Sequence, residues 1–401
     1  MIIMGRTPWH STSSGERVLV GHRPVAFITY EYPDDGCGGA GLYARSLVSG
    51  LMQAGQSVRL YYPSSRALSL GSSAHLARQH SVVSVAGVLT VWAHSQISLA
   101  FGFDRARGVQ LVHANGPHIP LFRLAGRKLK TVVTLHHLSR AGDERHDGSR
   151  GRSALVDDAA RLLERHLLAN ADAVITVSRA TAEDLLETGW VDPAKVHIVY
   201  HGVDPNPFVE ANSYTARLRR PTRCAAGGVV LFVGQLASRK GLEHLLDAFA
   251  RIPRRQRCFL YVVGPGKVSG YLGLAHRLGI GERVRFLGRI DRRSLLQLYA
   301  LAALVVIPSV NEGFSLVALE AMAAGKPLAA SALPALREVI PREGAIFVPA
   351  RTPIRLAEAI STLLDNPRRC LEMGRLNLER AEQFSWHATA MGTSAVYEAL
   401  S

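Results

Sequence analysis

Short runs rich in β-branched residues alternate with amphipathic or alanine-rich stretches twice along the chain. The first series falls at 25–29, 58–62, 110–113, 131–135, 173–177 and 197–200, the second at 229–233, 259–263, 284–287, 304–307, 327–330 and 345–348. Strands that are apolar along almost their whole length must be covered on both faces, and helices alternating with them supply that cover in a parallel sheet. The expectation is an α/β chain of two doubly wound, Rossmann-like domains. A length of 401 residues suits two such units.

The segment 202–223 contains Pro205, Pro207 and Pro221 with few apolar positions, the composition of an interdomain linker. It predicts four parts: a loose polar extension over 1–22, a first domain over 23–205, a second over 206–383, and a C-terminal helix over 384–401. The apolar run 298–307 reads as one core element, being half the roughly 20 residues that cross a bilayer. Cys37, Cys224, Cys258 and Cys370 form no C-x-x-C pair, which points to reduced thiols. With no apolar leader in 1–22, a cytoplasmic protein is expected.

A formal charge of +15 implies an anionic partner. Residues 1–204 carry 21 basic and 17 acidic side chains and the remainder 26 and 15, so the second half is the better candidate for holding a phosphorylated molecule. Nucleic acid is not expected: no helix-turn-helix, RRM or zinc spacing occurs, and the basic residues do not interleave with aromatic ones. Basic charge also suits peripheral contact with an anionic membrane.

In an open parallel sheet, ligands bind beyond the carboxyl ends of the strands, where glycine-rich turns aim backbone N–H groups of a following helix at an anion. Three turns fit. Residues 34–41, which include Gly38 and Gly39, follow the first strand. Residues 234–241 follow the strand 229–233 and carry Arg239 and Lys240, two adjacent cations suited to a pyrophosphate. Residues 311–316 follow the strand 304–307 and place Glu312, Gly313, Phe314, Ser315 and Leu316 ahead of a helix that carries Glu320. His136 stands at the end of the strand 131–135, facing the same cleft. His201 reads as part of the hinge. No Asp-x-Asp occurs, so charge neutralisation is expected from Arg239, Lys240 and helix ends, with no metal and no cofactor.

Together the segments VGQLASRKGLEHLLDAF, FLGRIDRRSLLQLYALAALVVIPSVNEGFSLVALEAMAAGKP and FSWHATA resemble the retaining glycosyltransferases of the GT-B fold, family 4, over about residues 25–399. The resemblance implies two Rossmann-like domains facing a central cleft, the first binding an acceptor and the second a UDP- or GDP-linked sugar. It also implies that the C-terminal helix crosses back to the first domain. By resemblance Glu312 contacts hydroxyls of the donor sugar, Glu320 holds the ribose, and Lys240 neutralises the departing diphosphate. Phe314, Ser315 and Leu316 lend N–H groups, Gly38 and Gly39 approach the diphosphate, and His136 lies beside the sugar. Many members carry an arginine where this chain has Gln235; Arg239 lies four residues on. The acceptor class stays open among glycans, lipid-linked saccharides and small molecules. A phosphorylase, an epimerase or a sugar-binding protein without catalysis are the alternatives.

Overall fold

The computed structural model describes residues 24–29, 38–61, 109, 111–116, 129–138, 154–218 and 228–400. The predicted extension over 1–22 and the loop residues 34–37 lie outside these. Two six-stranded sheets are present, and every strand pair in both is parallel.

The first unit runs β1 (Val25–Ile28), α1 (Gly39–Gln53), β2 (Val58–Tyr61), β3 (Leu111–Asn115), β4 (Lys130–Leu135), α2 (Ala154–Asn170), β5 (Ala173–Thr176), α3 (Arg179–Glu187) and β6 (Val196–Ile198), with strand order β2-β1-β3-β4-β5-β6. After α4 (Asn206–Leu218) come β7 (Val229–Val233), α5 (Leu242–Ala250), β8 (Phe259–Val263), α6 (Ser269–Arg277), β9 (Val284–Gly288), α7 (Arg292–Leu301) and β10 (Ala302–Ile307). The second unit continues through α8 (Leu316–Ala323), β11 (Leu328–Ser331), α9 (Pro334–Val339), β12 (Ala345–Val348), α10 (Pro353–Asp365), α11 (Pro367–Ala381) and α12 (Trp386–Leu400), with order β12-β11-β10-β7-β8-β9. In each sheet the order reverses beside the first strand of the unit. Those reversal points open the crevices in which ligands of doubly wound sheets sit.

Burial explains the apolar strands. Val25, Ala26 and Phe27 of β1 and Leu304, Val305 and Val306 of β10 are all buried, and alternate residues join cores on opposite faces of their sheets.

Two sequence expectations change. The segment 202–223, expected as an interdomain linker, is mostly helical: α4 occupies much of it, Phe208 is fully buried against Tyr299, and α4 packs on α7 of the second unit. Pro207 falls in the first turn of α4, where its missing N–H costs no helical bond. The run 298–307 is two elements, the end of α7 and the whole of β10; Tyr299, Ala300, Ala302 and residues 304–307 are buried, while Leu301 at the junction is exposed.

Helix α12 packs on α1 of the first unit, with Ala390 against Gly50 and Gly392 against Val199. Its buried Tyr397 hydroxyl meets His113 Nδ1 at 2.5 Å. The chain therefore passes between the units twice. The two passages lie side by side, joined by Val203 N–H donating to Phe384 O (2.9 Å) and by Gly202, which leaves no room for a Cβ beside Ser385 and Trp386.

Candidate active site

The carboxyl ends of β7 and β10 carry the charged part of the site. After β7 a short turn, Ser238–Lys240, ends at Gly241 with φ 67°, where a side chain would also strike the Pro308 carbonyl. The turn presents Arg239 and Lys240. The Arg239 carbonyl accepts from Val310 N–H (2.7 Å), which ties the turn to the loop after β10. Lys240 Nζ lies 2.5 Å from Glu312 Oε1, and Ser309 Oγ donates to the same oxygen at 2.8 Å. The two side chains are 16% and 4% exposed.

Burial pulls the Lys240 ammonium below its ordinary value; Glu312 opposes the fall and Arg239 adds to it. Burial would raise the Glu312 carboxyl, but Lys240 and Arg239 beside it, with the bonds from Lys240 and Ser309, hold it below the usual range. One carboxylate is thus shared between two cations, and the cluster carries a net positive charge that an anion would balance.

Helix α8 starts at Leu316. Its cap Ser315 accepts from Ala318 N–H (3.2 Å), while the first N–H groups of the helix have no acceptor within it. Helix α1 starts opposite, at Gly39 after Gly38; a Cβ built on Gly39 would stand 3.5 Å from Leu316 Cδ1. Two helix N-termini from different units therefore meet at the crevice.

Glu320, one turn into α8, is buried. Arg292 donates to its Oε1, and Tyr299 Oη donates to Oε2 at 2.9 Å. Arg292 also lies over the Phe208 ring, 5.0 Å from its centroid. Phe314 turns its ring inward, 4.8 Å from His201 and 6.3 Å from Phe384.

His136 follows β4. Its Nε2 lies 2.6 Å from Asn115 Oδ1, and Asn115 uses both protons of Nδ2, on Thr29 Oγ1 (3.0 Å) and Ala40 O (3.2 Å). With its amide group oriented in this way, Asn115 can only accept from His136, so Nε2 carries the proton and Nδ1 is left as an acceptor. Burial, with a smaller contribution from His137, lowers the His136 pKa to about 3, so the ring is neutral. Beneath it a buried chain runs from Tyr397 through His113 to Thr134 (2.7 Å) and Tyr43 (3.1 Å); the Tyr43 ring meets His136 edge-on at 4.9 Å.

His201 sits at the seam between Tyr43, Phe314 and Trp386, buried, with neither ring nitrogen hydrogen-bonded among the described residues. Burial holds its pKa well below normal.

The structure brings Lys240, Glu312 and His136 to facing ends of the two sheets. The backbones of Gly313 and His136 are in direct contact, leaving no space for a Cβ on Gly313.

Two family models match side by side: Glycosyltransferase Family 4 over residues 37–207 and Glycosyl transferases group 1 over residues 225–379. The chain is a GT-B glycosyltransferase of the family 4 type. This glycosyltransferase is 26% identical over 392 residues to an uncharacterized glycosyltransferase, MJ1607, of Methanocaldococcus jannaschii, covering 93% of this chain and 97% of that one. It is 36% identical over 255 residues to the D-inositol 3-phosphate glycosyltransferase of Kineococcus radiotolerans, a match spanning 58% of each protein. Among solved structures it resembles sucrose-phosphate synthase from Thermosynechococcus elongatus, with a TM-score of 0.76 and 27% identity over 94% of this chain and 99% of that one. It shares its fold with the Anabaena protein HepE, solved in complex with UDP and glucose (TM-score 0.64, 21% identity, covering 94% and 100% of the two chains).

Several residues of this glycosyltransferase's cleft escaped the sequence reading. Asn115 ends a strand in an ordinary-looking VHAN segment, and Arg292 and Tyr299 sit on an amphipathic helix. The signal available was position alone: Asn115 ends the strand beside the one that leads to His136.

Proposed function

We propose that the protein transfers a hexosyl group, with retention and without a metal ion, from a UDP- or GDP-linked sugar to an acceptor hydroxyl. The observation that carries this reading is the charge cluster at the carboxyl ends of β7 and β10. Lys240 pairs with Glu312, Arg239 acts on the same carboxylate through its charge, and Glu312 lies in the loop that leads into α8, an arrangement that favours a diphosphate.

Among the described residues both hydrogen bonds to Glu312 fall on Oε1, leaving Oε2 to accept from sugar hydroxyls. A carboxylate held ionised by two cations is a weak base and a poor nucleophile, which favours sugar binding over a covalent intermediate. Neutral His136, with Nδ1 as an acceptor, supplies a second contact to the sugar. Glu320 takes the ribose diol, sharing its oxygens with Tyr299 and Arg292.

As the glycosidic C–O bond lengthens, negative charge grows on the β-phosphate and positive charge on the sugar carbon. Lys240, Arg239 and the N–H groups at the starts of α8 and α1 stabilise the first. The acceptor hydroxyl attacks from the face the leaving group vacates and gives its proton to the diphosphate oxygen. Contact between the units excludes water from the reacting carbon.

We further propose a cytoplasmic protein in peripheral contact with anionic membrane, consistent with its charge of +15; none of the helices among the described residues is long and apolar enough to cross a membrane. A donor screen that detects released UDP or GDP, with NMR of the anomeric proton of any product, tests the reaction. Release from no donor would refute transfer, an inverted anomer would refute retention, and full activity in EDTA is required for metal independence.

A further inference from the structure

The N-terminus of α3, in the first unit, is satisfied largely by the second. A helix start leaves N–H groups without intrahelical acceptors. Here Arg179 N–H donates to Glu338 Oε1 (2.8 Å) and Ala180 N–H to Glu338 Oε2 (3.1 Å), while Tyr200 Oη donates to Oε1 at 2.6 Å. Glu338 belongs to α9, so a carboxylate of one unit closes a helix start of the other, where the helix dipole favours it. Thr181 N–H is taken by the cap Ser178 Oγ at 3.0 Å.

The same two residues reach across the seam. Ser178 Oγ lies 2.9 Å from Thr181 Oγ1 and 2.6 Å from the Gly313 carbonyl, so its one proton goes to the shorter contact, and Thr181 Oγ1 donates to the same carbonyl at 3.1 Å. A carbonyl has two acceptor positions, and both are filled by hydroxyls of the opposite unit. Gly313 follows Glu312 directly. On its other side the loop is tied to its own unit through Val310 N–H and the Arg239 carbonyl. Glu312 therefore lies between one anchor in the second unit and one in the first.

We infer that Ser178 and Thr181 are positioning residues for Glu312, gripping the Gly313 carbonyl so that the carboxylate takes its working position only when the two units are in contact. Closure and ordering of the acid loop are then one event: separation strips the Gly313 carbonyl of both donors and the α3 start of its carboxylate. A groove of about 510 Å³ lined by Arg179, Tyr200, Glu338 and Arg380 reaches this contact, so water can replace its bonds as the units part. The inference rests on the reading of Glu312 as the donor-sugar ligand.

The test uses the full chain with UDP and with a turned-over donor. Thr181→Val replaces a hydroxyl by a methyl group of similar size; Ser178→Asp keeps an acceptor for Thr181 N–H and removes the donor to Gly313. Amide hydrogen exchange over residues 311–315 is expected to speed up at least tenfold in each variant, with kcat lowered about tenfold or more and UDP affinity within threefold of wild type. Ser178→Thr, which retains the hydroxyl, is expected to restore both readouts. Unchanged exchange over 311–315, or unchanged kcat, in a folded Thr181→Val protein overturns the inference, and this variant decides alone if Ser178→Asp does not accumulate. A wild-type protein that releases no nucleotide from any donor would instead sink the reading of Glu312, since the exchange rates report on the coupling without turnover.

Discussion

Gly313 and His136 touch through their backbones across the seam between the two units, with no space for even a methyl group between the Gly313 α-carbon and the His136 carbonyl. The contact fixes how near the acid loop comes to the histidine that flanks it. Gly313→Ala must hold the units apart by an ångström or more. Since misplacement on that scale costs about 100-fold in rate, kcat/KM is expected to drop by about that factor. Binding of UDP, measured by calorimetry, should change far less, because the cations that hold it lie on one unit.

Removing either partner of the Lys240–Glu312 pair should cost stability. Lys240→Ala leaves a buried carboxylate with Arg239 as its remaining cation, and loss of one partner of a buried pair costs about 3–5 kcal/mol. Glu312→Gln keeps the shape and the bond from Ser309 but leaves the buried Lys240 ammonium beside Arg239 with no carboxylate, so it should cost at least as much stability. Both should lower transfer by at least about tenfold, or about 1.4 kcal/mol. Transfer within threefold of wild type in both would refute their assignment to the site.

Asn115 fixes the proton on His136 Nε2, and Asn115→Asp should change the ring's charge. A carboxylate facing Nε2 stabilises the imidazolium, so the His136 pKa should rise from about 3. In wild type, the ring stays neutral across neutral and mildly acidic pH and contributes no inflection near pH 6.5 to the rate profile. In the variant, an inflection should appear, read directly from the ring proton shifts in an NMR titration.

His113 and His201 are buried and neutral, the first with its pKa lowered to about 3 and the second well below normal, both mainly by burial. The unfolded chain takes up a proton on each near pH 6.5 and the native chain does not. Their contribution is therefore fully present above pH 6.5 and is lost as pH falls below it, at about 1.4 kcal/mol per pH unit for each. Urea unfolding between pH 7 and pH 5 should show the slope, and His201→Phe, which keeps an aromatic ring at the seam, should reduce it by one histidine's share. A slope that does not respond to His201→Phe would show that this ring titrates normally.

Strand identity was legible in the sequence because a strand buried on both faces has to be written as an unbroken apolar run; β7, β8 and β12 keep their predicted bounds. The glycine-rich turns were legible for a related reason, since Gly241 and Gly313 stand where no other residue fits. Periodicity failed where tertiary burial replaced it. The prolines near 205 gave no sign of the helix that Phe208 anchors there, and a single apolar run concealed the junction of α7 and β10. The contacts that orient the site were not legible, because Asn115, Ser178 and Glu338 are ordinary polar residues locally. Their partners lie 21, 135 and 159 positions away.

The paired crossings at Gly202–Val203 and Phe384–Trp386 determine what kind of motion the molecule can make. A door on one pin can wobble in any direction, whereas two pins set close together leave it a single swing. Because Thr389 Oγ1 also holds the Tyr200 carbonyl (2.8 Å), the pins are braced against each other. A hinge tied in this way is expected to bring Lys240, Glu312 and His136 back to the same mutual register, a repeatability that a single flexible tether would not give.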